Sequence, residues 1–126
     1  MLKEADIIYF MGGDPILQNE FVIKNNLLDL VKKSNAFLIG VSAGSMNLAK
    51  KAFIPKYELN PIAKFIDGFN MCDISIVPHF DINDNEQVSE AKENSKTNKL
   101  IGLPNDSALF IEAGVITYIN DYYLFD

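Results

Sequence analysis

The sequence predicts an α/β domain built on a mostly parallel sheet flanked by helices and finished by a C-terminal β-hairpin. Three observations predict it. The first 51 residues alternate between apolar strand-like runs and helical stretches, strand-helix-strand-helix, which implies parallel strands joined by right-handed crossovers. Both strand-like runs end in small-residue turns, Gly12-Gly13 and Ser42-Ala43-Gly44. Near the C-terminus, Ser107–Glu112 and Val115–Asn120 alternate apolar and polar around Gly114, the pattern of a hairpin. A chain of 126 residues suits one domain, 1–126.

The elements follow in order. Ala5–Met11 is continuously apolar, aromatic and β-branched, as a buried parallel strand should be. Gly12-Gly13-Asp14-Pro15 ends it. The glycines open backbone torsions closed to other residues, Asp14 suits a helix N-cap, and Pro15 suits the first helical position. A helix runs from Pro15 to about Lys33, with Ile16, Leu17, Phe21, Leu27, Leu28, Leu30 and Val31 on its inner side and a break expected at Asn25-Asn26. Ala36–Val41 is the second strand, and Ser45–Lys51 reads as the first turns of the next helix. Ala52–Asn70 lacks periodicity and is broken by Pro55 and Pro61. It reads as a long irregular loop with a short helix near Pro61–Phe65. Met71–Val77 is a strand ending at Pro78-His79-Phe80. Glu86–Lys96 is a polar helix, Leu100–Leu103 a short strand, and Asp121–Asp126 a last edge strand.

Composition narrows the function. Apolar residues make up 48% and charged residues 22%, the balance of a globular protein. A net charge of −6 leaves no basic patch to displace counterions, which excludes nucleic acid as a partner. All 11 basic residues are lysines, so no site here rests on a bidentate guanidinium clamp. The single cysteine, Cys72, forms no internal disulfide and fits a reducing compartment. No secretory signal begins at Met1 and no apolar run is long enough to cross a bilayer, so a cytoplasmic protein without a membrane partner is expected.

Gly40-Val41-Ser42-Ala43-Gly44 is a G-x-S-x-G turn between a strand and a helix, the setting of a nucleophile elbow. Small neighbours let the helix pass close to the strand, and the helix N-terminus beneath the serine favours an oxyanion. Acyl transfer by serine also needs a base, oxyanion donors and a group that fixes the base tautomer. His79 is the only histidine, and imidazole is the side chain that titrates near neutrality. The N–H groups of Ala43 and Gly13 are the candidate oxyanion donors. All these positions fall at the carboxyl ends of predicted strands, where α/β sheets bind ligands.

Tyr-Phe-Met-Gly-Gly-Asp, then Gly-Val-Ser-Ala-Gly-Ser, then Pro-His-Phe, then Ile-Gly-Leu-Pro-Asn-Asp-Ser-Ala-Leu, in that order, resemble the peptidase E family. This is serine peptidase family S51, which also holds cyanophycinase. The resemblance runs from about Asp6 to Tyr118. It implies a class-I glutamine-amidotransferase-like, flavodoxin-like α/β fold with serine in place of cysteine. It implies hydrolysis of short peptides, in peptidase E those with an N-terminal aspartate, with no metal or cofactor. Ser42 and His79 match the family's nucleophile and base, and Gly13 and Ala43 its oxyanion hole.

The third catalytic member is open. Asp106 is the favoured candidate, Glu58 the alternative and Asp67 a third choice, and a Ser42–His79 dyad without any of them is the remaining option. Peptidase E holds its substrate aspartate with an arginine that this chain lacks. Lys92 or Lys96 would replace it only as point charges, and Asp81, Asp84 and Glu86 beside His79 would repel an acidic substrate. Family members begin with further strands and helices before the segment matching Ala5, so a short or N-terminally truncated form is expected. Such a sheet exposes an apolar edge, which a homodimer would bury. The leading function is a peptidase E-like dipeptidase with a Ser-His mechanism. The alternative is an inactive remnant serving as a binding or assembly module, and an amidotransferase-like domain handling glutamine is a weaker third.

Overall fold

The computed structural model describes residues 2–126. The first strand, β1 (Ile7–Phe10), pairs in parallel with β2 (Phe37–Gly40), in register from Ile7 opposite Phe37 to Phe10 opposite Gly40. Between them the chain forms two helices, α1 (Pro15–Lys24) and α2 (Leu27–Lys33). Asp14 caps α1, its Oδ1 accepting from the N–H of Ile16 at 2.9 Å and of Leu17 at 3.0 Å. Those are two of the donors that a helix start leaves without partners. The break falls at Asn25-Asn26, where Asn26 is left-handed with φ 54°.

The side of α1 that faces the protein differs from the expected one. Pro15, Asn19 and Val22 are buried, at helical spacing, whereas Leu17 and Phe21 are each 61% exposed. A buried asparagine on the inner stripe hides the helix's orientation from a purely apolar reading. β1 likewise alternates instead of being buried on both faces. Ile8 and Phe10 pack with Val22, Val31 and Phe69, while Ile7 is 60% and Tyr9 51% exposed. Helices cover only one face of the β1–β2 pair.

After β2 comes a short helix, α3 (Ala43–Asn47). It is shorter than expected, because the chain re-enters as β3 (Lys51–Ile54), antiparallel to β4 (Lys64–Asp67). The expected loop over 52–70 therefore holds two strands, and the short helix near Pro61 is replaced by the start of β4. Ala52, Phe53 and Ile54 are all fully buried, so this strand carries no polar alternation to mark it. Pro55 and Pro61 frame the connection and obscure it further.

β5 (Ser75–Pro78) pairs in parallel with β6 (Leu100–Leu103), and β9 (Tyr123–Phe125) adds antiparallel to β6. The helix α4 (Asn85–Asn94), capped by Asp84, joins β5 to β6. β7 (Ala108–Glu112) and β8 (Val115–Ile119) are antiparallel around Ala113-Gly114. The fold is thus mixed α/β, with small mixed sheets in place of the single mostly parallel sheet that was expected. Phe53, Val77, Phe80, Leu100 and Phe125 form a second core beside the β1–β2 core. Truncating one of these buried phenylalanines to alanine would cost about 3–5 kcal/mol. The hydroxyl of Ser75 donates to Lys51 O at 2.6 Å and ties β5 to β3. Phe110 of the hairpin stacks on Phe37 of β2, with centroids 5.6 Å apart. No helix among the described residues is long and apolar enough to cross a membrane.

Candidate active site

Ser42 sits where β2 turns into α3, with φ 53° and ψ −112°. A non-glycine residue in such a conformation costs about 1–3 kcal/mol and persists only where its surroundings hold it. Here the Ser42 carbonyl accepts from Ser45 Oγ at 2.6 Å and from the Met46 N–H at 3.1 Å, and the Gly44 N–H donates to Val41 O at 3.0 Å. Gly44 is required by close approach, since a Cβ there would lie 2.1 Å from the Phe10 carbonyl oxygen of β1. The turn therefore wedges α3 against β1 and presents the serine hydroxyl at the ends of the strands.

His79 follows β5 and is itself left-handed, with φ 56°. Its Nε2 lies 2.8 Å from Ser42 Oγ. Its Nδ1 lies 2.5 Å from Asn105 Oδ1. An amide oxygen only accepts, so Nδ1 carries the proton and Nε2 presents its lone pair to the serine hydroxyl. The β5–β6 register brings these residues together. Pro78 pairs with Leu103, and the Phe80 N–H donates to Leu103 O at 3.2 Å, so His79 lies beside the chain as it leaves β6. Pro104 then opens a turn closed by the Ser107 N–H on the Pro104 carbonyl at 3.0 Å, and Asn105 is its first central residue.

The residue hydrogen-bonded to His79 Nδ1 is Asn105 and not Asp106. Asp106 is the next residue of the turn, is exposed, and makes no hydrogen bond to His79 among the described residues. Its backbone carbonyl accepts from Asn120 Nδ2. Glu58 is exposed in a separate cavity with Lys56, Pro61 and Glu90, and Asp67 pairs with Lys51. Neither touches the imidazole. Of the nearby acids, Asp84 caps α4 and Asp81 Oδ1 accepts from the Asn83 N–H at 2.9 Å, so both serve local turns.

Gly13 and Ala43 provide the remaining polar groups. A Cβ on Gly12 would lie 3.5 Å from that of Ser42, so the Gly12-Gly13 loop rests against the serine. Gly13 has φ 135°, open to glycine alone, and its N–H donates to no group among the described residues. Ala43 is the first residue of α3, so its N–H has no acceptor within the helix. With five residues, α3 supplies individual N–H groups and little macrodipole.

A buried amide network fixes the loop against the elbow. Asn19 Nδ2 donates to Asn47 Oδ1 at 3.0 Å and to Asp67 O at 2.9 Å. Asn47 Nδ2 donates to Pro15 O at 2.9 Å and to Gln18 Oε1 at 3.0 Å. Gln18 Nε2 in turn donates to Met11 O at 2.8 Å, just before Gly12. Asn19 and Asn47 lie outside the motifs read from the sequence, and Asn105 lies inside the Pro-Asn-Asp segment but beside the residue that was singled out there. For Asn19 the one signal was its helical spacing between Pro15 and Val22, the other buried positions of α1.

A cavity of about 660 Å³ opens beside Ser42, His79 and Asn105. β2, the approach to β5, the end of β6 and β7 form its walls. Cys72 is also in the wall, and burial pushes its thiol up from the usual range.

Residues 1–119 match the sequence model of peptidase family S51. The chain belongs to this family. Its fold is similar to the 1.5 Å crystal structure of a candidate peptidase E from Listeria monocytogenes EGD-e, with a TM-score of 0.72 and 19% identity over 94% of this chain. It is similar also to a peptidase from an acI-B1 Actinobacterium, with a TM-score of 0.71 and 24% identity over 95% of this chain. The S51 chain spans 61% of the length of the first and 52% of the second. No curated protein sequence matches it.

Proposed function

We propose that this S51 chain is a serine-type peptidase acting on short peptides as a peptidase E-like dipeptidase. One observation carries the reading: a hydroxyl, an imidazole and an amide oxygen in a single hydrogen-bonded line, Ser42–His79–Asn105. In the first step Ser42 Oγ bonds to the peptide carbonyl carbon while its proton passes to His79 Nε2. The Gly13 and Ala43 N–H groups hold the resulting oxyanion. The C–N bond then breaks, and the departing amine takes the proton from Nε2. Water repeats the sequence against the acyl ester, losing a proton to His79 and releasing the carboxylic acid and free Ser42.

The test is Ser42→Ala in purified protein, assayed on a dipeptide panel, with fluorophosphonate labelling of the unaltered chain. Peptidase activity should fall by on the order of 10⁶ and the label should sit on Ser42. Full activity of the variant sinks the mechanism. Absence of labelling at any pH, with no turnover, favours the non-catalytic binding module.

The same reading places the protein in the cytosol, with its free Cys72, and as a homodimer. Support for the dimer is the uncovered face carrying Ile7 and Tyr9, on a strand paired along one edge only. A light-scattering mass of one chain would refute it.

A further inference from the structure

We infer that the residue beside the scissile bond carries a bulky uncharged apolar side chain, bound in the cavity next to Ser42; this rests on the peptidase reading above. The cavity is about 660 Å³, within the size range of small-molecule sites. Ser42, His79 and Asn105 form part of its wall, and Ile39, Val41, Ile74, Ile76, Leu103 and Leu109 form much of the rest. No lysine, aspartate or glutamate lines it, and the chain has no arginine. An acidic side chain entering this space would lose its hydration and gain no cation in return. Lys92 and Lys96, the first two lysines after His79, are not in the wall. A leucine, methionine or phenylalanine side chain would instead exchange water for matching apolar surface.

The strand order adds a reason for an extended peptide. β2 is hydrogen-bonded to β1 on one side alone, and residues 36–41 border the cavity. Strand main chain alternates the edge to which its groups point, so Leu38 and Gly40 offer theirs on the side away from β1. A peptide lying along that edge would run towards Ser42, with its side chains reaching the apolar walls.

The test is a panel of dipeptides and aminoacyl p-nitroanilides with Leu, Phe, Ala, Asp or Lys at the scissile position, assayed on the full chain. Values of kcat/KM for Leu or Phe should exceed those for Asp by on the order of 10²-fold or more. Competition against fluorophosphonate labelling of Ser42, using peptide aldehydes with Leu or Asp side chains, should give the same order without turnover. Ile74→Lys puts a cation in the wall and should lower Leu turnover while raising Asp turnover. Ile74 lies outside β5 and is half-buried, so the change leaves the strand ladder alone. Labelling at Ser42 together with equal or better use of Asp overturns the apolar pocket and leaves the peptidase reading intact. No labelling and no turnover overturns both.

Discussion

Asn105 Oδ1 lies 2.5 Å from His79 Nδ1, and on the other side of the ring Nε2 lies 2.8 Å from Ser42 Oγ. An amide thus occupies the place where a carboxylate was expected. It fixes the ring's tautomer and plane but brings no negative charge beside the imidazole. Asn105→Ala should therefore lower kcat by on the order of 10²-fold with little change in KM. Asn105→Asp should restore much of kcat and move the acid limb of the pH–rate profile to higher pH, because a neighbouring anion favours the protonated ring. A profile unmoved by the aspartate would show that residue 105 does not act through His79.

Asn47 is fully buried and joins α3 to α1 through Asn19, Pro15 and Gln18. Asn47→Leu should leave the Pro15 carbonyl and the Asn19 amide without this partner and cost about 1–3 kcal/mol per orphaned group. The urea midpoint should fall with the m-value unchanged. Because the same network braces the Gly12-Gly13 loop, any folded fraction should show a lower kcat. An unchanged midpoint would mean that the network contributes nothing to stability.

Asp14 is held below the usual carboxylate range, chiefly by the Leu17 N–H, with the Tyr57 hydroxyl and the Ile16 N–H also donating to it, while desolvation opposes the shift. A carboxylate whose folded pKa is depressed contributes stability above its unfolded pKa and loses it as pH falls through the folded value. The unaltered protein should therefore lose part of its stability as pH drops below about 4. Asp14→Asn keeps a capping oxygen and removes the charge, so its stability should vary less over that range. Thermal midpoints between pH 6 and pH 3 decide it, and parallel curves for the two proteins would exclude Asp14 as a source of the acid sensitivity.

Much of the site was legible along the chain because its chemistry is local. Glycine, proline and small residues dictate backbone turns over four or five positions, so Gly12-Gly13-Asp14-Pro15 and Gly40-Val41-Ser42-Ala43-Gly44 announced a capped helix and an elbow without tertiary information. The lack of arginine and the single histidine likewise limited the chemistry from composition alone. What depended on distant pairing was not legible. β3 hid because Ala52–Ile54 is buried throughout and runs straight into Pro55, and the inner side of α1 was masked by Asn19. The choice between Asn105 and its neighbour Asp106 is the plainest case. Either residue type suits a turn after β6. The alignment of Pro78 with Leu103 across two strands determines which of them meets the imidazole, because one step along a turn sends a side chain in another direction.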